Sequence, residues 1–429
     1  MEITPGLVAL ASADRGLHDR GTLLIGIVAM RRSFAMVITV GVLSWGCSDA
    51  AVTPTSIPTT TSAATTTLPV TDQLCERTSS SQTRLSLPAD LEALFDPVVA
   101  EGMSAMDAVG LTFAVQCARS AVYVKGYGSA DLASGVPATA DTVYEIGSVS
   151  KQFVAAEIMK LTQEDLLTLS DPIGMYLPWL PIDWQPVTLE QLMSHTGGVP
   201  DHFAIFRENP DTPFDWTKDY RAAELVEAFV ALDDQLIDEP GAAFFYSNTD
   251  YAMLTAVIEQ LTGQTFAAAM EEALFEPLGL ERIAFCSPTL PDLAVGYNIG
   301  PDGPVEGPAV PATFFSGAAG LCGTAGDLIS WESHLVSGTA VGREAFQTMS
   351  SPVDLNDGTA VPYGLGLHLD ELGQSDAIFH EGGTVSFSSW LAYYPDHDLT
   401  VAVLSNTLGP NMAAIRDLVI DLTEVVLSP

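Results

Sequence analysis

Apolar positions along the chain change period twice, and those changes outline the fold. Leu91, Leu94, Phe95 and Val98 form one face of a helix that opens the folded region near residue 87 and is expected to stop at Gly102. Runs 111–117 and 121–126, parted by Ala118-Arg119-Ser120, predict an antiparallel hairpin, followed by a Gly/Ser/Pro-containing loop over 127–140. The helical period then returns with Val154, Ile158 and Leu161, and residues 152–285 stay mainly helical in pattern. Leu254, Val257, Ile258 and Leu261 mark the clearest amphipathic helix, closed by Gly263, and another runs from Phe266 to about Glu276 before Pro277. Strand character reappears at 388–394 and 399–405 around the turn Pro395-Asp396-His397-Asp398, and a last helix carries Ile415, Leu418, Val419 and Leu422. Strands at both ends with helices between predict an α/β (α+β) fold, with one antiparallel sheet closed by the two halves of the chain, flanking helices and an inserted helical subdomain at about 152–285.

Before residue 87 the pattern is of another kind. Met30-Arg31-Arg32, the apolar run 34–43 and Ser44-Trp45-Gly46-Cys47 read as a signal peptide over 30–47, which makes 1–29 an upstream extension. Gly46-Cys47 resembles the end of a bacterial lipoprotein signal, with Cys47 as the lipidation site and a lipid anchor as its consequence. Ser44 and Trp45 depart from that motif, so simple secretion is the alternative. Residues 48–86 form a linker whose Thr/Ser/Ala/Pro stretch at 53–69 cannot bury a core and reads as a tether. Both readings place the folded region, 87–429, outside the cytoplasm.

Composition narrows the partners. The chain has 429 residues, of which 47% are hydrophobic, enough for a sizeable core. Sixteen basic against 54 acidic residues give a formal charge of −38, which excludes nucleic acid and anionic headgroups as natural partners. With Cys47 set aside, Cys75, Cys117, Cys286 and Cys322 remain for disulfides in an oxidising compartment, and four cysteines allow three pairings. No His/Cys/Asp/Glu cluster has metal-ligand spacing, so no metal or cofactor is expected, and His195, His202, His334, His368 and His397 read as structural.

Chemistry concentrates where strand gives way to helix, at Tyr144-Glu145-Ile146-Gly147-Ser148-Val149-Ser150-Lys151. Residues i and i+3 share a helix face, so Ser148 and Lys151 can meet as nucleophile and base. Lys151 is one of only four lysines and sits at a helix start, where the dipole disfavours a cation. Acting as a base near pH 7 requires its pKa to fall about 3 units, and the helix terminus supplies at most about 2 kcal/mol of that, so burial must supply the rest. The competing reading is a solvated lysine beside a capping serine.

Two further stretches decide between these readings: Tyr246-Ser247-Asn248, just before the Leu254 helix, and His380-Glu381-Gly382-Gly383 far downstream. With Ser148-x-x-Lys151 these three elements, in this order, resemble the serine β-lactamase-related family, which includes class C β-lactamases, penicillin-recognising D,D-peptidases, D-aminopeptidases and family VIII carboxylesterases. The likeness covers about 87–422 and extends to Leu192-Met193-Ser194-His195-Thr196-Gly197-Gly198 and Tyr363-Gly364-Leu365-Gly366. It implies a β-lactamase/transpeptidase-like fold and an acyl-enzyme on Ser148, with Lys151 as partner, Tyr246 as proton shuttle and Asn248 holding the substrate amide. It also implies substrate contacts at His380 and Gly382, an oxyanion hole of the Ser148 and Gly383 N–H groups, and the pairings Cys75–Cys117 and Cys286–Cys322.

Histidine replaces the lysine that the family commonly carries at position 380. An imidazole of ordinary pKa is mostly neutral at pH 7, so the resemblance favours a D-alanyl-D-alanine carboxypeptidase-like or esterase activity, with cell-wall peptides among the expected substrates, over a class C-like β-lactamase. A non-catalytic receptor for peptidoglycan fragments or β-lactams is the alternative of another kind. If the His380 imidazolium binds a substrate carboxylate, turnover of anionic substrates is expected to rise as pH falls through about 6.5.

Overall fold

The computed structural model describes residues 89–119, 121–202, 215–232, 234–408 and 413–427. The expected extension, signal peptide and tether lie outside the described residues, as do Cys47 and Cys75.

Helix α1 (Ala89–Met106) leads into β1 (Gly110–Cys117), β2 (Ala121–Asp131) and the short β3 (Val136–Pro137). The two-residue strand β4 (Tyr144–Glu145) and a 3-10 turn (Gly147–Val149) feed α2 (Ser150–Gln163). Helices α3 (Leu189–Met193), α4 (Ala222–Val230) and α5 (Asn248–Thr262) follow, the last ended by Gly263 in the left-handed region. Helix α6 (Ala312–Ala319), strand β5 (Leu321–Gly323) and helix α7 (Ala325–Ser337) return the chain to the sheet. Strands β6 (His368–Leu372), β7 (Ser375–Gly383), β8 (Ser388–Tyr394) and β9 (Leu399–Ser405) and helix α8 (Ala413–Leu427) complete it.

The main sheet runs β6-β7-β8-β9-β1-β2-β3 with every neighbour antiparallel. Its centre is the β9–β1 pair, from Leu111 opposite Ser405 to Cys117 opposite Leu399, so the two halves of the chain close one sheet as the pattern predicts. Strands β1, β8 and β9 are buried along their whole length because both faces are covered. Phe113, Val115, Val401 and Val403 face a core shared with Phe95, Val99, Ile415, Leu418 and Leu422 of α1 and α8. Ala114, Ala402 and Leu404 face the larger core with Phe153, Val154, Leu254 and Leu328, which is the period of two expected of a strand.

Two local differences from expectation have physical causes. Helix α1 continues past Gly102 to Met106, because that glycine is a contact and not a cap: a Cβ there would lie 2.7 Å from the Leu418 side chain of α8. The second strand of the hairpin runs to Asp131, five residues beyond its predicted end, since β3 pairs with its far half.

A disulfide joins Cys286 to Cys322 with the Cα atoms 5.0 Å apart, as expected. Cys322 lies on β5, which pairs with β4 on one side and with Ala284–Phe285 on the other, so the bridge braces the small sheet that ends at the Ser148 turn. Closing such a loop stabilises by about 3–4 kcal/mol. Cys117 is buried on β1, while Cys75 lies outside the described residues.

Burial leaves one acid in α7 at odds with its charge. Glu332 is buried, its Oε1 has no hydrogen-bond partner among the described residues, and burial pushes its carboxyl up to about 8. The folded state therefore holds a proton that the unfolded chain loses near pH 4.5, so this residue's contribution falls as pH rises through about 8. Glu332→Gln is expected to raise the melting temperature at pH 9 and change it little at pH 5. Equal shifts at both values would mean that the carboxyl does not titrate in this range.

Candidate active site

The turn carrying Ser148 is shaped by glycine and a neighbouring strand. Gly147 has φ +53°, and a Cβ on it would meet the Gly383 nitrogen at 2.5 Å, so the turn packs directly on the end of β7. Helix α2 starts two residues after Ser148, and the turn has no side-chain cap, so the serine is not serving as a helix cap.

Lys151 lies one turn on, completely buried. Its Nζ donates to Ser148 Oγ at 3.0 Å, to Asn248 Oδ1 at 2.8 Å and to the Ala318 carbonyl at 2.9 Å. Three acceptors suit an ammonium, but burial outweighs them. The amine is pulled down to about 7 by desolvation, against the charges of Asp201 and Glu381, which raise it. This is the shift that a lysine base at neutral pH requires.

Tyr246 is brought to the same point, with its ring 4.8 Å from Lys151 Nζ. Burial holds its phenol well above the usual range, partly offset by the Ser148 hydroxyl. The phenol is therefore protonated at neutral pH and can relay a proton, whereas only Lys151 can begin as the base.

Asn248 spans the site: its Oδ1 accepts from Lys151, while its backbone N–H and Nδ2 both donate to Asp201 Oδ1, at 3.0 and 3.1 Å. One hydrogen of Nδ2 remains to meet a substrate amide.

The third element differs from expectation at two residues. His380 stands beside Tyr246, ring centroids 6.1 Å apart, but it is fully buried and both of its nitrogens are used inside the protein. Nδ1 donates to the Glu381 carbonyl at 2.6 Å and Nε2 accepts from the Tyr363 hydroxyl at 3.0 Å, while burial holds the ring well below its ordinary pKa. A neutral, enclosed imidazole does not present a charge to a substrate carboxylate, so the expected gain for anionic substrates at low pH does not follow from this geometry. Gly382 is likewise enclosed. It is buried, and a Cβ on it would lie 2.2 Å from both the Ile146 carbonyl oxygen and Ser389 Oγ. Its part is to let β7 approach the Ser148 turn, which leaves the exposed Gly383 as the residue of that strand end beside the nucleophile.

Sequence reading set aside several residues that the fold brings in. His195 packs its ring 4.3 Å from that of Tyr246, and its Nδ1 receives the Ser247 N–H at 3.2 Å and lies 2.9 Å from Asp250 Oδ2. Burial holds Asp250 well above the carboxylate range and His195 well below its own, so this contact is a neutral hydrogen bond donated by the acid. Ala318 belongs to a small-residue run that reads as packing; Gly317 does pack, against Thr255 and Val154, but the next carbonyl holds Lys151. A backbone acceptor leaves no mark in the sequence. His368, His380 and Glu381, whose spacing suggests no metal site, also come together, with one ligand atom from each within 4.8 Å of the others.

Gly382→Ala tests the close approach. The added methyl must push the end of β7 off the Ser148 turn and misplace the Gly383 N–H, so covalent labelling of Ser148 by a fluorophosphonate is expected to slow by about 10²–10³-fold, the usual effect of losing one oxyanion donor. Labelling at the parent rate in a folded variant would remove β7 from the site.

A family profile described as Beta-lactamase matches residues 95–424. Among similar curated proteins, a D-aminopeptidase of Gluconobacter oxydans is 26% identical over 294 residues, 67% of this chain and 54% of that protein. Penicillin-binding protein 4* of Bacillus subtilis is 27% identical over 302 residues, 66% of this chain and 65% of its own length. The chain thus spans between about half and two thirds of these relatives. Two solved structures share the fold: the octameric penicillin-binding protein homologue from Pyrococcus abyssi (TM-score 0.68, 24% identity, 79% of this chain and 77% of that one) and the D-amino acid amidase from Ochrobactrum anthropi SV3 (TM-score 0.69, 20% identity, 79% and 99%). The three ordered elements, the sheet closed by both ends of the chain and the profile match over most of its length agree, and the chain belongs to the beta-lactamase family.

Proposed function

We propose that this protein is an exported serine hydrolase that works through an acyl-enzyme on Ser148. One observation carries the reading: a buried lysine amine, held to a pKa of about 7, lies 3.0 Å from the hydroxyl it would deprotonate. In the proposed cycle, neutral Lys151 takes the Ser148 proton as Oγ attacks the substrate carbonyl. As the bond from the carbonyl carbon to the leaving group breaks, Tyr246 passes its proton to that group and takes the one held by Lys151, and water then attacks the ester with the same groups in reverse order. The Ser148 and Gly383 N–H groups would hold the oxyanion, each worth about 3–4 kcal/mol of barrier. Residues 30–47 support export, and Cys47 with the tether supports a lipid-anchored or secreted form at the cell envelope.

The charges around the base favour one class of substrate. Asp201 and Glu381 are the acids whose fields act most on Lys151, and the neutral His380 adds no cation. An anionic substrate would meet the carboxylates of Asp201 and Glu381, whereas a neutral ester, an amide or a peptide bearing a free amine would not be repelled. The activities named for the D-aminopeptidase and the D-amino acid amidase are of this kind, so the proposal is a peptidase, amidase or esterase in preference to a β-lactamase.

Mass spectrometry after exposure to a fluorophosphonate, a p-nitrophenyl ester, a D-amino acid p-nitroanilide and a penicillin tests the reading directly. Adducts on Ser148 with turnover of the ester or anilide are expected. Ser148→Ala is expected to abolish the adducts and lower kcat/KM by more than about 10⁴-fold, with an unchanged melting temperature. An adduct on the alanine variant would move the nucleophile elsewhere.

The pH dependence has a definite sign. Lys151 must be neutral to act, so kcat/KM for a neutral ester is expected to rise with pH and level off above about 7. A profile flat between pH 5 and 9 would show that Lys151 is not the titrating base.

A further inference from the structure

Beyond the hydrolase reading, we propose that His368, His380 and Glu381 form a binding site for one zinc-class divalent metal ion at the edge of the main sheet. Strands β6 and β7 set the three residues near one another: His368 pairs across the ladder with Phe379, beside His380 and Glu381, and the His368 and His380 rings lie 4.9 Å apart. One ligand atom from each lies within 4.8 Å of the other two.

Two of the three candidate ligand atoms make no hydrogen bond among the described residues. His368 Nε2 and Glu381 Oε2 are 3.4 Å apart, shielded from solvent, and neither has a hydrogen bond among the described residues. Two ligands of a tetrahedral zinc ion with bonds of about 2.0–2.1 Å stand about 3.3 Å apart, so that gap already has the span of one edge of the tetrahedron. The two atoms face each other at ion-pair distance without a hydrogen bond between them, and a cation set between them would bind both.

His380 supplies the third ligand in the state a metal needs. Its Nδ1–H is committed to the Glu381 carbonyl, which fixes the tautomer and leaves the Nε2 lone pair as the ligand; a second-shell hydrogen bond of this kind orients metal-bound imidazoles. Nε2 now accepts from the Tyr363 hydroxyl, and this single hydrogen bond is what metal entry would displace.

Two of the three candidate ligands are open to a cavity. His368 and Glu381 line a surface cavity of about 380 Å³ whose other walls include Asp370, Glu371, Phe379 and Arg416. Three acids, Asp370, Glu371 and Glu381, line it against one arginine, a balance that favours a cation. Two imidazoles and one carboxylate suit zinc and its neighbours better than calcium or magnesium, which prefer all-oxygen shells.

Equilibrium dialysis of the untagged, chelator-treated protein against zinc chloride tests the site, with cobalt(II) absorption reporting its geometry. One equivalent of zinc per chain is expected, with the intense visible bands of tetrahedral cobalt. His368→Ala and Glu381→Gln should each weaken binding by at least about tenfold. His368→Ala should leave fluorophosphonate labelling of Ser148 in the metal-free protein unchanged, which shows that the variant is folded. If Asp370→Asn/Glu371→Gln removes zinc binding while His368→Ala retains it, the cation is held by surface acids and the proposal fails. It fails equally if no zinc is retained. Labelling of Ser148 is independent of both results, so loss of the metal site does not touch the hydrolase reading.

Discussion

The burial of one amine organises this protein. Lys151 has no exposed surface, and its Nζ is held by groups from three parts of the chain: Ser148 from its own helix start, Asn248 from the start of α5 and the Ala318 carbonyl from the end of α6. A charged lysine so enclosed is costly, and the protein lowers that cost by letting the amine lose its proton near neutrality. Each of the three contacts fixes a different element against α2. The helices between the two halves of the sheet therefore have to meet at this point for the amine to be dry and satisfied together.

Close backbone approach is the second constraint, and it serves the first. The turn at Gly147 rests on the Gly383 nitrogen, and Gly382 rests on the Ile146 carbonyl, so the last residues of β7 and the strand leading to Ser148 touch without intervening side chains. Any Cβ at these positions would separate the nucleophile from the strand end. The Cys286–Cys322 bridge acts on the same turn from the other side, through β5 and β4. A sheet edge, a disulfide-braced small sheet and a helix start thus converge on Ser148.

The sequence showed the architecture where periodicity is strong. The strands at 388–394 and 399–405 and the Gly263 helix end appear at the predicted residues because alternation and a left-handed glycine are local signals. Ser148, Lys151, Tyr246 and Asn248 were legible as ordered motifs, and the fold brings them together. What was not legible depended on the environment. His380 was expected to be mostly neutral at pH 7 and to offer a charge to a substrate carboxylate as pH falls, yet the Tyr363 hydroxyl and the Glu381 carbonyl occupy its two nitrogens. Gly102 reads as a helix stop but is a helix contact, since the chain gives no sign that Leu418 lies opposite. Ala318 contributes a carbonyl and Asp201 a buttress for Asn248, and neither carries a motif.

The wall behind Tyr246 shows why the site tolerates only one titrating base. His195, Tyr251, Tyr363 and His380 are all buried there; the histidines lie well below their ordinary range and the tyrosines well above theirs, so every one of them is neutral at pH 7. The Lys151 charge itself helps to depress both histidines, because a second cation in this low-dielectric layer would repel the first. Opposing this, Asp201 and Glu381 favour a proton on Lys151. The base is thus set by two competing terms of different origin, a neutral apolar wall that expels the proton and two carboxylates at the rim that attract it. The wall also accounts for the histidine at position 380. Of the residue types that can fill a buried strand edge and hydrogen-bond at both ends, imidazole can remain uncharged next to Lys151, whereas a lysine there would add a second buried ammonium to the layer that keeps the first one neutral.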